Sequence, residues 1–113
     1  MSQYMQIDIK LVPFYERGFE AHFPKLAKLF HSLDYAEPFE KETSLYVLVD
    51  SLQRMSRDPK IPSNIKQKTA PFLEKLRPLK EKARELLLSR HLNELDRLLY
   101  QMEDEFEDLE KSL

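Results

Sequence analysis

Three histidines, His22, His31 and His91, are the side chains of this 113-residue chain best suited to proton transfer or metal binding near neutral pH. His91 and Glu94 stand three residues apart, so a helix through them turns both toward one ion. A helical two-metal site needs repeated Glu-x-x-His pairs with further carboxylates, and the sequence contains no Glu-x-x-His. His22 and His31 are nine residues apart, on roughly opposed faces of a helix, and do not cooperate within one. No cysteine is present, which excludes disulfides, thiolate nucleophiles and cysteine-held zinc or iron–sulfur. The single glycine, Gly18, excludes glycine-rich phosphate loops, dinucleotide fingerprints and tight two-residue hairpins. No Gly-x-Ser-x-Gly nucleophile signature occurs. The expectation is a protein without catalytic residues, metal or cofactor, and not an enzyme.

What remains is binding chemistry, and charge is its clearest marker. The net charge is −2, so the chain as a whole is not drawn to nucleic acid or anionic lipid. The distribution is uneven. Residues 1–57 carry 7 basic and 8 acidic side chains, residues 58–90 carry 9 and 4, and residues 91–113 carry 2 and 8. The candidate basic patch is Lys66, Lys68, Lys75, Arg77, Lys80, Lys82 and Arg84. It could track a phosphate backbone, but it lacks the interleaved exposed aromatics of a single-strand binder. The candidate acidic patch is Glu103, Asp104, Glu105, Glu107, Asp108 and Glu110. It reads as a receiver for a basic partner, as a mimic of nucleic-acid phosphates, or as the solvated face of a terminal helix. Acidic residues at a helix C-terminus oppose the macrodipole, so that end frays unless something basic meets it.

Nine of the twelve aromatics fall in the N-terminal half: Tyr4, Phe14, Tyr15, Phe19, Phe23, Phe30, Tyr35, Phe39 and Tyr46. They form either an ordinary core of large rings or, in part, an interface, where aromatics are enriched.

The elements that carry these groups are read from periodicity. In residues 1–12, Ile7, Ile9 and Leu11 alternate with Asp8 and Lys10 as a strand would. No second alternating run exists to pair with them, so the segment is expected to be an N-terminal arm. Tyr15, Phe19, Phe23, Leu26, Phe30 and Leu33 fall on one helical stripe, with a kink or fresh start expected at Pro24. A connector follows at Ala36-Glu37-Pro38-Phe39. Thr43 or Ser44 is expected to cap a helix buried through Leu45, Leu48, Val49, Leu52 and Met55. Asp58-Pro59-Lys60-Ile61-Pro62 ends it. Ser63 or Asn64 then caps a helix with the stripe Ile65, Thr69, Phe72 and Leu76. Pro71 is expected to kink it, and Pro78 to force a boundary or bend. A helix-turn-helix over 43–77 is disfavoured by its proline-rich, overlong turn.

From Leu88 the spacing is an unbroken heptad series: Leu88, Leu92, Leu95, Leu99, Met102, Phe106, Leu109 and Leu113. The phase differs from that of Leu79, Ala83 and Leu86, so 79–113 is either one helix or two packed helices. Good helix formers and the lack of a glycine stop favour one continuous or mildly bent helix, though Asn93 and Asp96 faintly mark a cap.

The chain therefore reads as a single all-α domain over 1–113: an antiparallel helical bundle of four to five helices with a long C-terminal helical region. It divides into an arm (1–12), three kinked helices (13–77) and a long helix or helix pair with an acidic end (78–113). The expected function is a non-enzymatic protein–protein interaction module: an adaptor, small regulatory subunit, chaperone-like or inhibitor protein. Self-association as a dimer is expected, with Leu88, Leu92, Leu95, Leu99, Met102, Phe106 and Leu109 as the interaction seam, although one chain could bury that seam itself. The alternative is a nucleic-acid-associated protein using residues 60–90. No membrane span is expected, and the absence of cysteine and of a signal-like start suits the cytoplasm.

Overall fold

The computed structural model describes residues 3–5, 9–33 and 44–113. They form five helices and no strand: α1 (Phe19–His22), α2 (Pro24–Ser32), α3 (Leu45–Arg57), α4 (Ser63–Leu88) and α5 (Leu92–Ser112). The architecture is the all-α bundle that the periodicity predicts. The connector at 36–39 and part of the alternating stretch, Ile7 and Asp8, lie outside the described residues.

Each boundary has a local cause. Gly18 adopts a φ of 88°, a left-handed conformation that suits glycine, and directs the arm into α1. Pro24 occupies the first turn of α2, where its missing N–H is harmless, so the helix restarts there. Ser44 caps α3 through its Oγ, which accepts from the Val47 N–H at 3.3 Å. Asp58 Oδ1 accepts from the Lys60 N–H at 2.9 Å and shapes the turn after α3.

α4 departs from the expected boundaries in two ways. It starts on Pro62 as cap, without a side-chain cap bond, so neither Ser63 nor Asn64 plays that role. It also runs unbroken through Pro71 and Pro78. Both prolines face solvent, seven residues apart on the side opposite the buried stripe Thr69, Leu73, Leu76, Ala83 and Leu86. The carbonyls they leave unbonded belong to the exposed residues Gln67 and Glu74, which water can reach. An interior proline costs about 3 kcal/mol, but the apolar stripe holds the helix together across both sites.

The expected continuous C-terminal helix is two helices. α4 ends in a Schellman motif, in which His91 N–H donates to Leu86 O at 2.9 Å and Arg90 N–H donates to Leu87 O at 3.2 Å. Arg90 takes the left-handed position, φ 61°, that glycine usually fills. α5 begins after His91, and Asn93 lies inside it rather than capping it. The three-residue elbow folds α5 back along α4 as an antiparallel hairpin.

The core joins all five helices. Leu26 and Phe30 of α2, Leu48 and Val49 of α3, Leu76 of α4, and Phe106 and Leu109 of α5 are fully buried together. A smaller cluster near the elbow contains Ala83, Leu86 and Leu95, and Leu11 of the arm packs against it.

Candidate functional site

The heptad series divides between core and surface. Leu95, Met102, Phe106 and Leu109 are buried within this chain, and Leu99 and Leu113 are half-buried. Leu88 and Leu92, at the elbow, remain 73% and 51% exposed. The buried four face α4 and the other helices, so they offer nothing to a second chain. Of the expected seam, the elbow pair is open and Leu99 is partly so.

The acidic residues of α5 are turned in several directions. Glu110 reaches α2: its Oε1 accepts from the Lys25 N–H at 2.7 Å and its Oε2 from the Leu26 N–H at 2.9 Å. Phe23, the cap residue of α2, has no side-chain acceptor, so Glu110 supplies from another helix the cap that the local sequence lacks. Glu105 turns toward α4, with Oε1 4.0 Å from Lys75 Nζ. Asp104 and Asp108 are exposed. Glu103 and Glu107 turn toward the arm.

There they line a hollow of about 280 Å³ with Phe14, Tyr15, His22 and Phe23. A second hollow, of about 210 Å³, adjoins it and shares Phe14, Tyr15, Leu45 and Glu103, with Leu11, Val12 and Leu99 adding apolar wall. Phe14 stands 88% and Val12 66% exposed beside these hollows. Glu16, between the arm and α1, adds a third carboxylate to the lining. Partial burial, with Glu107, Asp104 and Asp96 adding like charge, holds the Glu103 carboxyl above its ordinary range. Phe14 and Tyr15 and the acidic helix end, roughly 90 residues apart in sequence, thus share one surface. The other rings serve the core: Phe19 stacks on Phe23 at 5.4 Å, and Phe23 meets Phe106 edge-on at 6.4 Å.

The basic patch is split by the helix that carries it. At 100° per residue, Lys66, Arg77, Lys80 and Arg84 share the flank of α4 nearest α3, whereas Lys68, Lys75 and Lys82 lie on the other flank. Several are engaged: Lys80 Nζ sits 2.6 Å from Asp50 Oδ2 and 4.8 Å from the Tyr46 ring, Lys75 faces Glu105, and Lys82 lies 3.8 Å from Glu85. A groove of about 800 Å³ runs along the α3 flank between Tyr46, Asp50, Gln53 and the α4 side chains. No local spacing in the sequence signals it, because the partners come from two helices.

The histidines stay apart. His31 Nε2 lies 3.4 Å from Glu20 Oε1, His91 Nδ1 lies 2.7 Å from Ser89 Oγ, and His22 lines the arm hollow. Among the described residues no three His, Asp or Glu side chains gather as a metal site. No described helix is long and apolar enough to cross a membrane. Comparison with protein-family models, with curated proteins and with solved structures finds no match.

Proposed function

We propose that this chain is a non-enzymatic helical interaction module that captures a basic, amphipathic segment of a partner protein. The capturing face is formed by residues 11–16, the start of α3 and α5. The observation that carries this reading is the pair of adjoining hollows between Phe14, Tyr15, Leu45 and Glu103. Apolar and aromatic side chains line them together with Glu16, Glu103 and Glu107. Each is smaller than the usual 300–1,000 Å³ of a small-molecule site, and suits one or two side chains of a peptide. An apolar anchor buried there contributes about 1.5–3 kcal/mol. Lysine or arginine beside it meets the carboxylates, which set orientation and association rate more than affinity. The lack of cysteine suits a reducing compartment, and the proposed setting is the cytoplasm.

Fluorescence anisotropy with a labelled amphipathic peptide of Leu, Phe, Lys and Arg tests this. Saturable binding is expected, weakened about tenfold by Phe14→Ala. Glu103→Gln combined with Glu107→Gln should lower the affinity at low salt and flatten its salt dependence. Equal binding of a peptide with Glu in place of Lys and Arg, or indifference to Phe14→Ala, removes the reading.

The exposed pair Leu88 and Leu92 supports a second reading, self-association through the elbow. Light scattering at micromolar concentration tests it. A dimer that becomes a monomer in Leu88→Gln/Leu92→Gln supports it, and a monomeric wild type removes it. Nucleic-acid association through residues 60–90 draws less support, because Lys75, Lys80 and Lys82 are already beside carboxylates.

A further inference from the structure

We infer that the groove between α3 and α4 is a second binding site, one that takes a compact anion: a phosphate or carboxylate group on a small molecule. Tyr46 lines both this groove and the smaller hollow beside the arm, but Arg77, Lys80 and Arg84 line the groove alone, so the inference does not rest on the reading above. At about 800 Å³ the groove falls within the size range of small-molecule sites.

The cations decide the ligand. Arg77 and Arg84 are seven residues apart, two turns along one flank of α4, about 10.5 Å by helix rise. Among the described residues neither forms an ion pair. Lys80 lies between them, with its side chain only 15% exposed. Asp50 already satisfies Lys80, and the Tyr46 ring lies under its ammonium. That pairing consumes the one carboxylate that α3 offers to the groove and leaves both guanidiniums available. Arginine presents a planar fork of donors that matches phosphate or carboxylate two bonds at a time. Tyr46 hydroxyl and the Gln53 amide add neutral donors on the α3 wall.

The carboxylates decide the ligand's size. Glu74 and Glu81 each precede an arginine by three residues, and three residues fall 60° short of a full turn. They therefore stand about 60° farther from the buried stripe than Arg77 and Arg84, on the outer rim of the groove. A small anion seated on the arginines stays inside that rim. An extended phosphodiester chain must cross it and meets like charge.

The test uses the full chain with pyrophosphate and, separately, succinate, followed by backbone amide NMR. Saturable shifts at residues around Tyr46, Arg77 and Arg84 are expected with at least one of them, and the stronger binder tells phosphate from carboxylate chemistry. Arg77→Ala and Arg84→Ala should each weaken binding about tenfold. Glu81→Gln, which removes rim repulsion, should strengthen it. Circular dichroism checks that each variant keeps its helix content. Because both arginines are exposed, their removal leaves the core intact. Shifts that fail to saturate with both anions overturn the proposal, as does equal binding by the arginine variants. Tighter binding of a short DNA duplex at the same residues overturns the size argument and the proposal with it.

Discussion

Replacing Glu110 with alanine isolates the device that ties the acidic helix end to the N-terminal half. In the native chain its two carboxylate oxygens accept the N–H groups of Lys25 and Leu26, at 2.7 and 2.9 Å. No other group can do this locally. Pro24 has no N–H, and the cap residue Phe23 has no acceptor. Glu110→Ala thus strips both bonds and the favourable charge at the positive end of the α2 dipole. Loss of a side-chain cap costs about 0.5–2 kcal/mol. With two charge-assisted bonds involved, one of them partly buried, a loss of about 1–2 kcal/mol is expected. For a domain of this size that lowers the thermal midpoint by roughly 5–10 °C. Urea unfolding followed by circular dichroism should show an earlier midpoint with an unchanged slope. Glu110→Gln keeps one acceptor and should lose about half as much. Asp108→Ala, on an exposed side chain of the same turn, should stay within about 0.5 kcal/mol of wild type. Hydrogen exchange at the Lys25 and Leu26 amides should quicken at both sites in Glu110→Ala, at one in Glu110→Gln, and at neither in Asp108→Ala. Unfolding of Glu110→Ala that matches Asp108→Ala would refute the capping role.

Ending the chain after Gln101 removes Met102, Phe106 and Leu109, all at most 1% exposed. Each truncation to alanine alone would cost about 2–5 kcal/mol, so this shortened chain should show no cooperative unfolding transition by calorimetry. Arg90→Gly should stabilise the fold by roughly 0.5–1 kcal/mol in urea, since Arg90 holds a left-handed φ of 61° at the elbow. Glu103 keeps its proton to higher pH in the folded chain than in the unfolded one, because burial and its acidic neighbours raise it. Stability therefore declines as pH rises from the ordinary carboxylate range through the raised value. Glu103→Gln removes that decline, so the variant should be slightly more stable than wild type at neutral pH and equal to it in acid, where the side chain is protonated in both states.

The helices were legible wherever burial has a period. The stripes through Leu48, Leu52 and Met55, and through Met102, Phe106 and Leu109, appear in the spacing because one helix face enters the core. The elbow was not, because its Schellman motif uses Arg90 where a glycine would have marked the stop, and backbone hydrogen bonds leave no mark in the sequence. That Pro78 ends no helix has a related reason: proline's penalty is local, and whether water can reach the orphaned carbonyl depends on which face is buried. The acidic and aromatic groups were legible as types. Their partners were not, since Glu110 meets Lys25 and Leu26 across more than 80 residues of sequence, and Lys80 meets Asp50 across two helices. Heptad spacing likewise shows that a seam exists but not whose helices cover it, and here the chain covers most of it with its own.

The most direct test of the proposed capture surface is a titration of isotope-labelled full-length chain with the basic amphipathic peptide, followed residue by residue. Saturating changes are expected to gather at Val12, Phe14, Tyr15, Leu45, Glu103 and Glu107. Changes confined to the elbow at Leu88 and Leu92, or to the outer flank of α4, would contradict the proposed capture.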